Sequence, residues 1–197
     1  MISAIYDRRS IRKFSNKPIS PKDITDIIQS GIKAPSSKNR QPWKYIVIQG
    51  KSKEEMLKVF RQGIEREENE RALLPQSKQY IATAKYTVDI MSEAPIVIFV
   101  DNTLGKSILA DLTLEEHVYE ICNIQSISAS IQNMLLAATE KGIGSLWICD
   151  IYFAYPELYE WLDSEGQLIA AIAFGYPNEF PKERPRKNID DIVEWRN

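Results

Sequence analysis

The chain has 197 residues, of which 44% are apolar, 26% charged and 10% aromatic, with 25 basic against 27 acidic side chains. This composition is that of a globular domain large enough to bury a core, and it excludes collagen-like, low-complexity and disordered proteins. Two cysteines cannot make a disulfide framework and one histidine cannot make a multi-histidine metal site, so we expect no metal cofactor.

The net charge of −2 is unevenly distributed along the chain. Residues 1–44, the basic segment, carry ten basic and three acidic side chains, a charge of +7, so the remainder carries −9. A basic segment on an acidic body indicates an anionic partner, which could be nucleic acid, a phosphorylated small molecule or an acidic subunit surface.

Membrane insertion and secretion are not expected. The longest apolar runs, 96–100 and 168–174, are too short to span a bilayer. The first 20 residues carry arginines where a signal peptide would be apolar. The expectation is a cytoplasmic protein without membrane contact.

The N-terminal third predicts a helix, a turn and a strand. Ser20 is a capping residue and Pro21 suits the first helical position, so a helix should begin here and fray near Gly31. Turn-forming residues fill 34–42, and the apolar run at 45–48 predicts a short strand.

A second helix should begin at Ser52, which forms a capping box with Glu55 three residues later. The six charges of 65–71 indicate a solvated helix end. The pattern breaks at 73–75, and 80–91 could form either a helix or a mobile lid, so the segment 72–92 stays open. The inner face of the helix should consist of apolar residues at helical spacing: Met56, Val59, Phe60 and Ile64.

The rest of the chain continues the alternation of helices and strands. The run at 95–100 predicts a strand covered on both faces, and the run at 168–174 predicts the most apolar strand. A further strand is predicted at 146–151 and a short helix at 156–162. A helical pattern over 112–141 has apolar residues on several faces, as in a central helix or a subunit interface. Its main stripe is Ile121, Ile124, Ser128, Ile131, Leu135 and Ala138. An α/β or α+β fold with a mixed sheet follows.

The last segment, 177–197, differs from the rest in having little apolar content and three prolines at intervals of four. It ends near Trp195, a side chain that is costly to leave in water. We therefore expect an arm that packs on a specific surface.

Three polar clusters are candidates for ligand binding. Four cations within 8–13 surround Ser10, and guanidinium groups bind phosphate bidentately. The polar turn, residues 34–43, places two serines and two carboxamides between prolines, which suits a polar planar ring or a ribityl-type chain better than acid–base catalysis. Arg184 and Arg186 form a second cationic cluster.

Familiar nucleotide and nucleophile motifs are missing. Gly142 and Gly144 precede a strand without the third glycine of a dinucleotide fingerprint, and 50–51 lacks the earlier glycine of a P-loop. Cys149 and His117 could be a nucleophile and its base, but residues this far apart are more simply structural.

Four motifs in this order resemble the FMN-dependent nitroreductase family. They are Arg-Arg-Ser-x-Arg at 8–12, Pro-Ser-Ser-x-Asn-x-Gln-Pro-Trp at 35–43, Gln-Asn-Met-Leu-Leu-Ala-Ala at 132–138 leading into 142–148, and Gly-Tyr-Pro at 175–177. The resemblance runs from Ile5 to about Val193 and implies one nitroreductase-like domain over 1–197. The implied fold is α+β, with a central mixed, mainly antiparallel sheet flanked by helices, in an intertwined homodimer. A substrate lid would occupy about 61–91, and the arm, 177–197, would pack on the partner subunit.

The resemblance also implies which residues bind FMN. The phosphate and ribityl contacts would come from Arg8, Arg9, Ser10, Arg184 and Arg186, with Arg12 near N1 and O2 of the flavin. The turn residues Pro35, Ser36, Ser37 and Asn39 would reach the flavin of the partner subunit, and Gln41 would be a further cofactor contact. Along the flavin would lie Trp147, Ile148, Cys149 and Asp150, with a backbone N–H of Cys149 or Asp150 at N5. Many relatives have glycine in place of Cys149, which puts that contact in doubt. Ser126 would lie at the flavin edge.

The implied function is an FMN-dependent NAD(P)H oxidoreductase. It would reduce nitroaromatics, quinones or similar small molecules by ping-pong hydride transfer through flavin N5, without a catalytic acid or base from the protein. The same fold and FMN could instead serve a specialised reductive or flavin-consuming reaction. A phosphate- or nucleic-acid-binding module without catalysis is disfavoured, because the basic segment lacks interleaved aromatic side chains. The physiological acceptor and the preferred pyridine nucleotide do not follow from the sequence.

Overall fold

The computed structural model describes residues 2–69 and 71–196, and four strands within them form one antiparallel sheet in the order β1-β2-β4-β3. The strands are β1 Trp43–Ile48, β2 Ile96–Asn102, β3 Gly144–Ile148 and β4 Gln167–Gly175. Every residue of the central strands β2 and β4 is buried, as their continuous apolar runs predicted. The mainly antiparallel sheet is confirmed, and in the described chain its parallel component is the single bridge between Ser10 and Ser145.

Helices cover both faces of this sheet, which confirms the α+β class. They are α1 Ser3–Asp7, α2 Pro21–Gly31, α3 Lys51–Glu68, α4 Ile81–Glu93, α5 Leu114–Glu140 and α6 Tyr155–Trp161. Val97 and Phe99 of β2 face α3, α4 and α6, whereas Ile96 and Ile98 face α2 and α5. This alternation follows from the two-residue period of a strand and divides the core into two layers.

The predicted start of α2 is confirmed, but that of α3 is wrong. Ser20 caps α2 by accepting a hydrogen bond from the backbone N–H of Asp23 at 3.0 Å. In α3 the capping position belongs to Gly50, and neither Ser52 nor Glu55 forms the expected box. The physical reason is the left-handed backbone of Gly50, with φ of 58°, which starts the helix directly after the turn from β1.

The charged stretch at 65–71 is not simply a solvated helix end, because Glu67 is 1% exposed. Its carboxylate accepts hydrogen bonds from the backbone N–H groups of Leu73 at 3.0 Å and Leu74 at 2.9 Å, and it also pairs with Arg66. The guanidinium of Arg66 also forms a salt bridge with Glu157 of α6, with Nε and Oε1 2.6 Å apart. A buried charge is tolerated when it is paired and hydrogen-bonded, and here it fixes the chain that leaves α3.

The segment left open at 72–92 contains a 3-10 helix, Pro75–Tyr80, followed by α4. Val88 and Met91 of α4 belong to the core, as does Ile64 of α3. Both ends of the predicted 61–91 lid are therefore helices that pack into the core. Between these helices, the stretch 71–80 contains no buried residue. None of the helices in the described part of the chain has the length and apolar character needed to cross a membrane.

Candidate functional site

The two basic ends of the chain meet in one cavity of about 110 Å³, here called the cation cavity. It is lined by Arg8, Arg9, Ser10, Arg12, Pro181, Lys182, Glu183, Arg184 and Arg186. The structure therefore brings together the five residues that the sequence assigned to phosphate and ribityl contacts, with Arg12 beside them. Six cations face one carboxylate in this cavity, which is an arrangement that attracts a multiply charged anion.

The N-terminal cluster reaches this position because it is attached to the sheet. The backbone N–H of Ile11 donates to the carbonyl of Ser145 at 3.0 Å, and Phe14 forms a bridge with Pro177. A Cβ on Gly144 would lie 2.8 Å from the Ile11 side chain, and one on Gly175 would lie 2.6 Å from Phe14. Both glycines are thus needed for the close approach of the segment that carries the arginines.

Two glutamates reduce the charge around the cation cavity. Glu183 lies 3.5 Å from the guanidinium of Arg9, and both side chains are partly exposed. The carboxylate of Glu179 accepts hydrogen bonds from the backbone N–H groups of Arg12 and Lys13. Since Glu179 binds backbone and not guanidinium groups, it orders this segment and leaves the arginine side chains available.

The polar turn has an unusual backbone. Lys38, Asn39 and Gln41 have φ values of 53°, 54° and 47°, in the left-handed region that residues other than glycine avoid. Each such residue costs about 1 kcal/mol or more. Within the turn, the backbone N–H of Gln41 donates to Oγ of Ser36 at 3.0 Å, and the Gln41 amide donates to Oδ1 of Asn39 at 3.3 Å.

A second cavity of about 320 Å³ lies between the polar turn and α5, and we call it the turn cavity. It is lined by Pro35, Ser36, Ser37, Cys122, Gln125, Ser126 and Ala129. The backbone N–H of Ser37 donates to Oγ of Ser126 at 3.2 Å, so the predicted contact residues from the turn and from α5 are neighbours. Asn39 and Gln41 are exposed and do not line the turn cavity, and the two cavities have no lining residue in common.

Arg40 belongs to the polar turn and contacts α5, although its charge in the basic segment alone did not predict a role at the site. Its guanidinium donates to Oδ1 of Asn123 at 3.0 Å and lies 5.1 Å from the centre of the Tyr119 ring. Asn123 is 1% exposed, and Tyr119, Asn123 and Ser126 lie at i, i+4 and i+7 on one stripe of α5. The i, i+4, i+7 spacing of these three side chains is the signal that could have revealed the contact.

The end of β3 presents the four residues predicted to lie along the flavin. The side chain of Ile148 is buried in the core, so only its backbone can face a ligand. The indole Nε1 of Trp147 is buried and has no hydrogen-bond partner among the described residues. Cys149 is exposed, and the carboxylate of Asp150 accepts a hydrogen bond from the hydroxyl of Thr87 on α4.

The chemistry of Cys149 is set by its surroundings. Cys149 keeps contact with solvent, but partial desolvation of its sulfur and, secondarily, the charge of Asp150 raise the pKa of the thiol. A raised pKa keeps the side chain protonated at neutral pH, which is the opposite of what an activated nucleophile requires.

Comparisons with known proteins agree with this geometry. A model of the Nitroreductase family matches residues 5–176. A protein of Archaeoglobus fulgidus, provisionally named NADH dehydrogenase/NAD(P)H nitroreductase, is 29% identical over 202 residues, which is 97% of this chain and 95% of that protein.

Solved structures share the fold over almost the whole chain. The FMN-dependent nitroreductase NfnB of Mycobacterium smegmatis, solved in complex with NADPH, superposes with a TM-score of 0.73 at 16% identity, covering 98% of this chain and 96% of that one. A BluB-like flavoprotein from Clostridium difficile 630 also gives a TM-score of 0.73, at 24% identity, and covers 99% of this chain and 98% of that one.

Proposed function

Because the chain belongs to the nitroreductase family, we propose that it is an FMN-dependent oxidoreductase that uses NAD(P)H to reduce nitroaromatics, quinones or similar small molecules. When bound, FMN would supply the redox chemistry, a ping-pong hydride transfer through its N5 between NAD(P)H and the acceptor. The observation that carries the proposal is the cation cavity, in which arginines from both ends of the chain converge.

The donors of the cation cavity fit a phosphate monoester. Such a group carries about −1.5 to −2 charges near neutral pH and presents three acceptor oxygens. Arg8, Arg9, Ser10, Arg184 and Arg186 would hold it by charge-assisted hydrogen bonds, each worth about 1.5 to 3 kcal/mol. Arg12 would lie by the pyrimidine edge of the flavin, where its positive charge favours electron density on the ring.

The site would be completed across a homodimer. The two cavities have no lining residue in common, which is compatible with the polar turn serving a different flavin from the one held by the cation cavity of its own chain. Pro35, Ser36, Ser37, Asn39 and Gln41 would instead reach the flavin held by the partner subunit, with Ser126 at its edge. Exposed apolar side chains on α5 and the arm support an interface, among them Leu114, Val118, Ile121, Phe180 and Trp195.

The residues around the ring would bind and orient without donating a proton. The turn offers hydroxyls and carboxamides, which are hydrogen-bonding groups that stay uncharged at neutral pH. The strand end at Trp147, Ile148, Cys149 and Asp150 would run along the flavin, with a backbone N–H of Cys149 or Asp150 directed at N5. Residues 71–80, the stretch of the predicted lid without a buried residue, would cover the acceptor side.

A spectroscopic experiment tests the proposal. The purified protein should be yellow or become so when FMN is added. Under anaerobic conditions NADH or NADPH should bleach the flavin absorbance, and a quinone or nitroaromatic should restore it. Steady-state rates that give parallel double-reciprocal lines would support a ping-pong order. If FMN neither co-purifies nor binds, the proposal is wrong, and irreversible loss of flavin under oxygen would favour the flavin-consuming reaction.

A further inference from the structure

We infer that Arg40 is a positioning residue, which attaches the polar turn to α5 and so keeps the turn in the shape that contacts the flavin. The inference rests on the proposed function, in which the polar turn is a cofactor contact. Arg40 itself lines neither the cation cavity nor the turn cavity. Its effect on a ligand would therefore pass through the backbone of the turn.

The polar turn requires an external restraint because its backbone is unfavourable. The left-handed conformation of Lys38, Asn39 and Gln41 persists only where surrounding contacts hold it. Asparagine tolerates this region, but an exposed lysine such as Lys38 has no intrinsic preference for it. The bonds inside the turn, such as that from the Asn39 N–H to the Ser36 carbonyl at 2.9 Å, close the turn on itself and do not attach it to the body.

Two links attach the turn to α5. One is the hydrogen bond from the Ser37 N–H to Oγ of Ser126, at 3.2 Å. The other is made by Arg40, and among the side chains described for 36–41 only that of Arg40 hydrogen-bonds to α5. Its planar guanidinium combines the 3.0 Å bond to Asn123 with stacking over Tyr119.

One partner of Arg40 is buried, and the other is hydrogen-bonded within its own helix. Asn123 is 1% exposed, so packing holds its amide in place. Tyr119 is 40% exposed, and its hydroxyl donates to Oε1 of Glu115 at 2.7 Å, one helical turn earlier in α5. Arg40 therefore connects a strained turn to one stripe of a long helix, which is the arrangement expected of a positioning residue.

Ligand affinity provides the first test, with Arg40→Ala compared with Lys33→Ala. Lys33 is an exposed cation of the same basic segment, so its removal changes the charge equally without touching the turn. Arg40→Ala should weaken FMN and riboflavin by about the same factor, roughly tenfold, because one charge-assisted hydrogen bond and its ordering effect are lost. Lys33→Ala should change neither affinity.

Arg40→Lys distinguishes positioning from simple charge attraction. A lysine keeps the charge but cannot both stack on Tyr119 and donate to Asn123 as a planar fork does, so Arg40→Lys should resemble Arg40→Ala. Full recovery of affinity by Arg40→Lys, or a loss confined to FMN, would show that Arg40 acts by charge and would overturn the inference.

A rescue experiment tests the strain directly. Glycine adopts a φ of 53° without penalty, so Lys38→Gly should restore several-fold of the lost riboflavin affinity in the Arg40→Ala background. In the wild-type background, where the turn is already held, Lys38→Gly should give no gain. Equal effects of Lys38→Gly in both backgrounds would mean that the two residues are uncoupled, and the inference would fail.

Hydrogen exchange of the full-length protein without flavin separates this inference from the proposed function. The amides of Asn39, Arg40 and Gln41 donate within the turn and should exchange faster in Arg40→Ala than in wild type or Lys33→Ala. Unchanged exchange would overturn the inference. If wild-type protein binds no flavin, the proposed function fails, whereas the exchange measurement still decides whether Arg40 holds the turn.

Discussion

The guanidinium of Arg9 and the carboxylate of Glu183 lie 3.5 Å apart, which joins residues from opposite ends of the chain at the cation cavity. An exposed pair of this kind contributes little to stability. Its location matters more, because Glu183 is the one acidic residue that lines the cation cavity and it pairs with an arginine that a phosphate would also use.

The first prediction concerns Arg186, which lines the cation cavity and is proposed to bind the phosphate of FMN. Arg186→Ala should weaken FMN by tenfold or more, since a charge-assisted hydrogen bond is worth about 1.5 to 3 kcal/mol. Riboflavin, which lacks the phosphate, should lose little affinity. Quenching of flavin fluorescence on titration measures the affinities for FMN and for riboflavin. Arg196→Ala is the control, because Arg196 pairs with Glu194 at 2.8 Å and does not line the cation cavity. Equal losses for the two ligands would place Arg186 away from the phosphate.

The second prediction is a gain in FMN affinity, in contrast to the loss expected for Arg186→Ala. Glu183→Gln removes the carboxylate that competes for Arg9, so FMN should bind about two- to fivefold tighter at low ionic strength, with the gain shrinking as salt is added. Riboflavin binding should not change. Weaker FMN binding by Glu183→Gln would instead show that the carboxylate orders Arg9 for the ligand.

The two cationic clusters were recognisable in the sequence, but the contact between them was not. Their meeting depends on Ile11 and Phe14 lying against Gly144 and Gly175, residues more than 130 positions away. Such contacts form only when the sheet is assembled. The strands were predictable because burial of β2 and β4 on both faces leaves a continuous apolar run.

Local rules failed where a tertiary contact changed their outcome. On α5 the predicted apolar stripe is buried at Ile131 and Leu135, but Ile121 is 54% exposed, because the first half of the helix extends beyond the layer that α2 covers. Glu67 looked like part of a solvated charge run and is buried by bonds to the segment that follows it. Charge patterning alone cannot distinguish a solvated from a buried glutamate, since the groups that hydrogen-bond to it are brought together only by the fold.

The third prediction follows from the buried carboxylate of Glu67. Burial alone would raise its pKa, but the N–H groups of Leu74 and Leu73 together with Arg66 lower the pKa below the ordinary value of 4.5. Glu67→Gln should reduce the free energy of unfolding by about 2 kcal/mol at pH 7, because the charge-assisted hydrogen bonds of Glu67 are weakened, whereas Arg66 keeps its pair with Glu157. Urea unfolding measures this loss.

The pH dependence of this loss has a defined sign. A carboxylate whose pKa is lower in the folded state stabilises the protein above its unfolded pKa, and the stabilisation disappears as the pH falls through the folded value. The difference between wild type and Glu67→Gln should therefore shrink below about pH 4.5. Glu68→Gln is the matched control, since Glu68 is exposed and pairs with Lys85 on the surface. A loss that is independent of pH would contradict an ionised Glu67.

The fourth prediction concerns the reactivity of Cys149. Because burial and Asp150 raise its pKa, iodoacetamide should modify Cys149 more slowly at pH 8 than it modifies N-acetylcysteine. Asp150→Asn should move the midpoint of the rate-against-pH curve to lower pH, because it removes the negative charge that helps to raise the pKa of the thiol. Both measurements use ligand-free protein that carries Cys122→Ser, so that Cys149 is the thiol whose modification is measured. A wild-type rate above that of the reference thiol would contradict a protonated Cys149.

The fifth prediction concerns the arm, where Trp195 is 84% and Phe180 94% exposed in a single chain. Large aromatic side chains are costly to leave in water, so we expect the arm to pack on a second copy and light scattering to give about twice 22.6 kDa. Trp195→Ala should raise the dimer dissociation constant by tenfold or more, since a buried aromatic anchor typically contributes above 1.4 kcal/mol. Arg196→Ala changes the neighbouring exposed residue and should leave the constant unaltered. A wild-type mass of one chain at micromolar concentration would contradict the shared site as well as the packed arm, because the polar turn would then have no partner flavin to reach.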